Sequence, residues 1–135
     1  MENSRRFRAL PVYALLTSEG REGIAAMLAR MVVLAREIAR FLLDSVDYEW
    51  LPEIDATSTE AALEKTHMIV LFRARDEALN EVLVDRINAT GKMFVSGTSW
   101  AGRNAVRIAI ASWRVDVERD LAVVKDVLTL VARRQ

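Results

Sequence analysis

The hydrophobic periodicity changes twice along the chain, and this limits the fold more than any other feature. Apolar residues recur at three- and four-residue spacing over residues 22–43, which predicts a long helix with one buried stripe. The alternating and continuous apolar runs that follow are typical of β-strands. A helical period returns after Asp116. The chain therefore combines helices with a sheet.

Turn and capping residues divide these regions into elements in the order α-α-β-β-α-β-β-α. A first helix over residues 6–18 meets the long helix at a joint bracketed by Gly20 and Gly23. Asp76 and Asp116 can each cap a later helix. Strands are predicted at 48–51 and 67–73, a hairpin at 92–99 and 104–112, and a surface loop at 52–60. This order predicts an α+β fold, a small, mostly antiparallel sheet covered on one side by helices.

Composition excludes several classes of function. The 135 residues suit one ordinary domain, and nineteen basic side chains balance nineteen acidic ones. We therefore expect no nucleic-acid partner, and since no apolar run is long enough to span a bilayer, no membrane partner. The absence of cysteine excludes disulfides, thiolate nucleophiles and cysteine-based zinc sites.

Few residues suggest chemistry by themselves. His67 opens an apolar strand without an acidic or serine partner at motif spacing, which favours a structural role. Residues 96–99 have the composition of a phosphate loop but lack its lysine, which favours a hairpin. Arg107 lies on the strand face opposite the apolar one, so solvent exposure, a buried ion pair and an interface contact all remain open. The tryptophans are interpreted as core or hairpin anchors: Trp50, Trp100 and Trp113.

Six separated blocks of the sequence carry a resemblance to a known family: residues 3–13, 20–23, 69–73, 87–92, 96–98 and 106–114. They resemble the C-terminal small domain of the group II pyridoxal-phosphate-dependent amino-acid decarboxylases, which act on aromatic amino acids, histidine or glutamate. The blocks follow that family's order and spacing, and the resemblance covers nearly the whole chain.

The resemblance implies a domain of a cytoplasmic carboxy-lyase rather than a whole enzyme. In the intact enzyme, the domain would flank a large cofactor-binding domain in a homodimer and help to form the substrate entrance. The family's imine-forming lysine directly follows a histidine, whereas none of Lys65, Lys92 and Lys125 does. We therefore expect pyridoxal phosphate in the intact enzyme, no cofactor bound to this chain, and no activity from this chain alone.

The same resemblance suggests where the domains meet. Residues 1–20 would join the missing large domain, and residues 21–135 would form the small domain. Ser4 matches a position at the rim of the family's active site and is a candidate for substrate specificity. Candidate contacts between the domains are Arg5, Arg6, Arg8 and Tyr13. From the residues alone, the cluster at 5–8 could equally be a solvated terminus.

An alternative from another class is a free-standing interaction or regulatory module that dimerises. A severed domain should instead expose the apolar surface that once met its partner. We expect that surface on the first helix, at Tyr13, Leu15 and Leu16.

Overall fold

The computed structural model describes residues 9–51 and 59–133 of the chain. The helices are α1 (Ala9–Leu43), α2 (Thr59–Glu64), α3 (Glu77–Ala89) and α4 (Val117–Arg133), and the strands are β1 (Tyr48–Leu51), β2 (Ile69–Ala74), β3 (Ser96–Trp100) and β4 (Arg103–Ala109). Among the described helices, none combines the length and apolar character that a membrane span needs.

The four strands form one antiparallel sheet in the order β1-β2-β4-β3. In cross-strand register, Trp50 lies beside Phe72, Phe72 beside Val106, and Val106 beside Gly97. Since successive side chains alternate between the faces of a strand, these residues share one face. That face is buried under the helices, with α1 packed on β1 and β2, and α3 on β2 and β4. The predicted α+β fold with a helix-covered antiparallel sheet is confirmed.

Helix α1 is bent at the predicted joint. Gly20 has φ +64° and ψ −176°, a conformation that is essentially restricted to glycine, and it divides α1 into two helical halves. In the second half, Met31, Leu34, Ile38 and Leu42 are buried against the sheet and α4. The first half, from Ala9 to Glu19, is exposed along its whole length.

The predicted element order lacks one helix. Residues 52–60 were expected to be a surface loop, but the short helix α2 begins at Thr59 and packs against α1. Leu63 is its only buried residue, so the segment carries no apolar period that would reveal a helix. The remaining residues of the expected loop, 52–58, lie outside the described residues.

Side-chain oxygens cap the two later helices as predicted. The Asp76 carboxylate accepts a hydrogen bond of 2.7 Å from the Leu79 N–H at the start of α3. Asp116 accepts one of 3.0 Å from the Arg119 N–H at the start of α4. Ala101 and Gly102, both with positive φ, form the two-residue turn of the β3–β4 hairpin.

Candidate functional site

Most residues of the predicted site cannot be compared with the structure. Ser4, Arg5, Arg6 and Arg8 lie outside the described residues. Tyr13 lies in the first half of α1, where 66% of its surface is exposed. Its interface role is untested by the structure and stays a prediction.

The first half of α1 presents apolar side chains to solvent, as expected for the surface around Tyr13. We call residues 9–19 the apolar segment. Its large exposed side chains are Leu10, Val12, Tyr13, Leu15 and Leu16. Scattered exposed apolar residues are ordinary, but five within two helical turns form a contiguous surface of the kind that marks an interaction site.

A groove of about 530 Å³ connects the apolar segment with the start of α4. Leu15 and Met27 line one wall, and Trp113 with Arg114 and Arg119 lines the other. The Arg114 guanidinium stacks 4.6 Å from the centroid of the Trp113 ring, yet 63% of Trp113 is exposed. The prediction that this tryptophan is a core or hairpin anchor is therefore wrong, because it follows the end of β4 and precedes the cap of α4. Trp50 is buried as predicted, and Trp100 closes the hairpin.

Beside this groove, Arg119 and Asp120 form an ion pair. Arg119 Nε lies 2.8 Å from Asp120 Oδ1. This hydrogen bond raises the pKa of the Arg119 guanidinium and lowers the pKa of the Asp120 carboxyl. Arg30 and Arg114 also line the groove, and within the described part of the chain their guanidinium groups form no ion pair.

The other face of the sheet carries apolar side chains and two arginines. Ile69, Leu71 and Arg73 of β2 point away from the helices, beside Arg107 and Ala109 of β4. Arg107 is exposed, and its Nε donates to Ser96 Oγ at 3.2 Å. Of the alternatives left open for Arg107, the structure shows solvent exposure; an interface contact stays a prediction.

The buried ion pair is at Arg73 instead, a residue that the sequence analysis did not single out. Arg73 is only 5% exposed, and its Nε lies 3.4 Å from Glu49 Oε2 on the neighbouring strand. The two atoms form an ion pair but no hydrogen bond, so Arg73 Nε has no hydrogen-bond partner among the described residues. The sequence could suggest Glu49 and Arg73 only through the β1–β2 register, which neither strand encodes by itself.

The described residues do not form a site that fits pyridoxal phosphate. The cofactor would need a lysine in an enclosed pocket, where an imine is protected from water. Lys65, Lys92 and Lys125 are all exposed, and none of them lines the groove beside the apolar segment. His67 is exposed just before β2, and its structural role stays a prediction.

Residues 96–99 lie on strand β3 of the β3–β4 hairpin. This confirms the prediction of a hairpin rather than a phosphate loop. A second groove, of about 410 Å³, runs between this strand and α3. Asn80, Glu81 and Val84 of α3 line one side, and Gly97 and Ser99 line the other.

No protein-family model matches the sequence. The chain is 29% identical over 113 residues to aromatic-L-amino-acid decarboxylase of Sus scrofa, covering 83% of this chain and 21% of that protein. It is 30% identical over 133 residues to histidine decarboxylase of Drosophila melanogaster, covering 95% of this chain and 14% of that protein. The chain thus spans about a fifth or less of the length of these relatives.

A solved structure shows the same fold. It is the glutamate decarboxylase domain of a diaminobutyrate-pyruvate transaminase and L-2,4-diaminobutyrate decarboxylase from Vibrio parahaemolyticus. It matches with a TM-score of 0.75 at 19% identity, covering 99% of this chain and 27% of that one. In sequence and fold the chain is therefore related to the group II pyridoxal-phosphate-dependent amino-acid decarboxylases, and it corresponds to the C-terminal portion of their longer chains.

Proposed function

We propose that this chain is the C-terminal domain of a cytoplasmic, pyridoxal-phosphate-dependent amino-acid decarboxylase. In the intact enzyme, a large domain would carry the cofactor, and this domain would help to form the substrate entrance and stabilise the homodimer. The alignment with the C-terminal portion of two decarboxylases supports this assignment. No observation favours the alternative of a free-standing interaction module.

The observation that carries the proposal is the apolar segment. A domain that folds and acts alone has no need to expose Val12, Tyr13 and Leu16 together. We infer that the large domain covers this segment and that Tyr13 is a contact between the domains. The joint at Gly20 supports a division into residues 1–20 and 21–135, because the exposed half of α1 ends there.

The positions before α1 complete this proposal. Arg5, Arg6 and Arg8 would pair with carboxylates of the large domain, since guanidinium groups form bidentate contacts with them. Ser4 would lie at the rim of the substrate pocket. Its small side chain would leave room for a bulky substrate.

Reconstitution of a decarboxylase tests the proposal directly. The chain is added to the separately produced large domain of the Sus scrofa enzyme, and release of carbon dioxide from aromatic amino acids is measured with pyridoxal phosphate. We expect the mixture to release carbon dioxide and each part alone to release none. A Leu16→Asp variant should fail to restore activity, because it places a charge in the buried contact.

Val46→Asp is the matched control for that variant. Val46 is 84% exposed and lies outside the apolar segment, so the same added charge should leave reconstitution intact. Equal loss with both variants, or activity of the chain alone, would contradict the proposal.

Borohydride trapping tests the position of the cofactor. The chain alone is titrated with pyridoxal phosphate, reduced and mapped by peptide mass. We expect weak labelling spread over Lys65, Lys92 and Lys125, because all three are exposed. Stoichiometric and saturable labelling of a single lysine would show a cofactor site in this chain and overturn the assignment to a domain without one.

A further inference from the structure

Strand β3 leaves one side of its backbone free. It is the last strand of the sheet and pairs only with β4. Peptide groups of successive residues in an antiparallel strand point to opposite sides, so those of Val95, Gly97 and Ser99 share a direction. Val95 shows which direction this is, because its N–H and C=O both bond to the side chain of Asn88 on α3, away from β4.

The Asn88 amide occupies the position of a peptide group from a further strand. It accepts from the Val95 N–H at 2.8 Å and donates to the Val95 C=O at 3.0 Å. Among the residues that the structure describes, Gly97 and Ser99 make no such bond outside the hairpin. Within the described part of the chain, the N–H and C=O groups of Gly97 and Ser99 therefore remain free on the side of the strand where Val95 already bonds to Asn88.

Helix α3 runs alongside this edge in matching register. Val84 lies opposite Gly97, and a Cβ added to that glycine would be 3.6 Å from Val84 Cγ2. One turn earlier, Asn80 donates to the carbonyl of Asn104, the cross-strand neighbour of Ser99. The groove between α3 and β3 therefore offers an apolar position beside Gly97 and a polar one beside Ser99.

One carboxylate of α3, that of Glu81, lines the groove, and two others lie along the same side of the helix. Glu77, Glu81 and Asp85 follow at four-residue spacing and so lie on one side of the helix. Arg103 pairs with Glu77, but within the described ranges neither Glu81 nor Asp85 has an ion-pair partner. Glu81 lines the groove itself. The electrostatic complement of this side of the helix is a basic side chain.

We propose that the β3 edge binds an extended, basic peptide segment of another protein as an added antiparallel strand. Gly97 and Ser99 supply the backbone hydrogen bonds. The residue opposite Ser99 is arginine or lysine and pairs with Glu81, and the residue two positions later is small and apolar and packs on Val84. This mode of recognition takes affinity from the main chain and specificity from alternate side chains.

A second copy of this chain is a poorer occupant. Antiparallel pairing of two β3 edges about a two-fold axis would bring two copies of α3 together, with Glu81 and Asp85 facing their own equivalents. The edge itself is open to an added strand, because β3 lacks the lysine, proline or bulge that commonly protects an edge from pairing. The open edge and the Glu81 carboxylate beside it together favour a basic strand.

The probe is a fluorescein-labelled peptide of sequence Ser-Thr-Arg-Thr-Val-Thr-Ser, titrated with the folded chain and followed by fluorescence anisotropy. We expect saturable binding that weakens with added salt. Replacing the peptide arginine by glutamate should weaken binding at least about two- to fivefold, the worth of an exposed ion pair. The Glu81→Lys variant should reverse this preference and bind the glutamate peptide more tightly.

The backbone contribution has its own controls. Ser99→Pro removes an N–H that faces the groove and leaves the β4 ladder intact, so it should abolish binding, whereas Ser99→Ala should not change it. A peptide N-methylated on the groups that face β3 repeats the test on the unaltered protein. No saturable binding up to about 1 mM, or binding that survives both proline and N-methylation, would overturn the proposal. A preference for arginine that Glu81→Lys does not change would also overturn it.

Discussion

Replacing Asn80 by alanine should reveal how α3 is fixed to the sheet. Asn80 is 4% exposed, and its Oδ1 accepts from the Ala74 N–H at 3.1 Å, while its Nδ2 donates to the Asn104 carbonyl at 3.0 Å. One side chain thus joins the end of β2 to the start of β4. Truncation removes both bonds and provides no substitute.

The size of the effect follows from the surroundings of the two partners. Ala74 is fully buried, so loss of the hydrogen bond from its N–H to Asn80 costs about 1–3 kcal/mol. Asn104 is exposed, and water can replace the lost donor at its carbonyl. Alanine favours the helix by about 0.5 kcal/mol over asparagine. We therefore expect the free energy of unfolding to fall by about 1–3 kcal/mol.

Urea unfolding followed by tryptophan fluorescence measures this change, because Trp50 is buried against the same sheet. Glu81→Ala is the control. Glu81 is next to Asn80 on α3 but exposed, so its replacement should change the free energy of unfolding by less than about 0.5 kcal/mol. If Asn80→Ala costs no more than the control at an unchanged urea dependence, the two bonds do not hold α3 and the reasoning fails.

Three further changes test the core and its edges by the same unfolding measurement. Burial raises the pKa of Tyr48, whose hydroxyl donates to the Leu128 carbonyl at 2.8 Å; Tyr48→Phe should cost about 0.5–1.5 kcal/mol at neutral pH. Because the folded state favours the neutral phenol, wild-type stability should fall above about pH 10, and the phenylalanine variant should lack this fall. Glu49→Ala should destabilise more than Arg73→Met, since only the first leaves a buried cation unpaired; equal losses would contradict this. Asp76→Ala should cost about 1 kcal/mol by removing the cap of α3, and Asp76→Asn much less.

The sequence predicted those elements whose signal is local. The β3–β4 turn, the two aspartate caps and the joint at Gly20 each depend on residues within one turn of chain, and the structure confirms them. Strand boundaries were less accurate: β3 begins at Ser96 rather than at residue 92, because its register with β4 starts at the pair Ser96 and Arg107.

Contacts between distant parts of the chain could not be predicted. The pairing of Glu49 with Arg73 requires the β1–β2 register, and the role of Asn80 requires β4, which is distant in sequence, to lie beside the end of β2. An asparagine on a helix is usually exposed, so its type gave no signal. The order of the elements predicted the α+β fold, but the candidate site residues before α1 remain predictions.

The two proposed surfaces lie on different elements, which lets their tests be separated. The apolar segment is the first half of α1, whereas the peptide groove is formed by α3 and β3, and α1 makes no extensive contact with either. Leu16→Asp should therefore abolish reconstitution and leave peptide binding unchanged, whereas Glu81→Lys should reverse the charge preference for the peptide and leave reconstitution unchanged. Loss of reconstitution in Glu81→Lys would mean that the large domain itself covers the groove, and the proposal that another protein supplies the added strand would then be wrong.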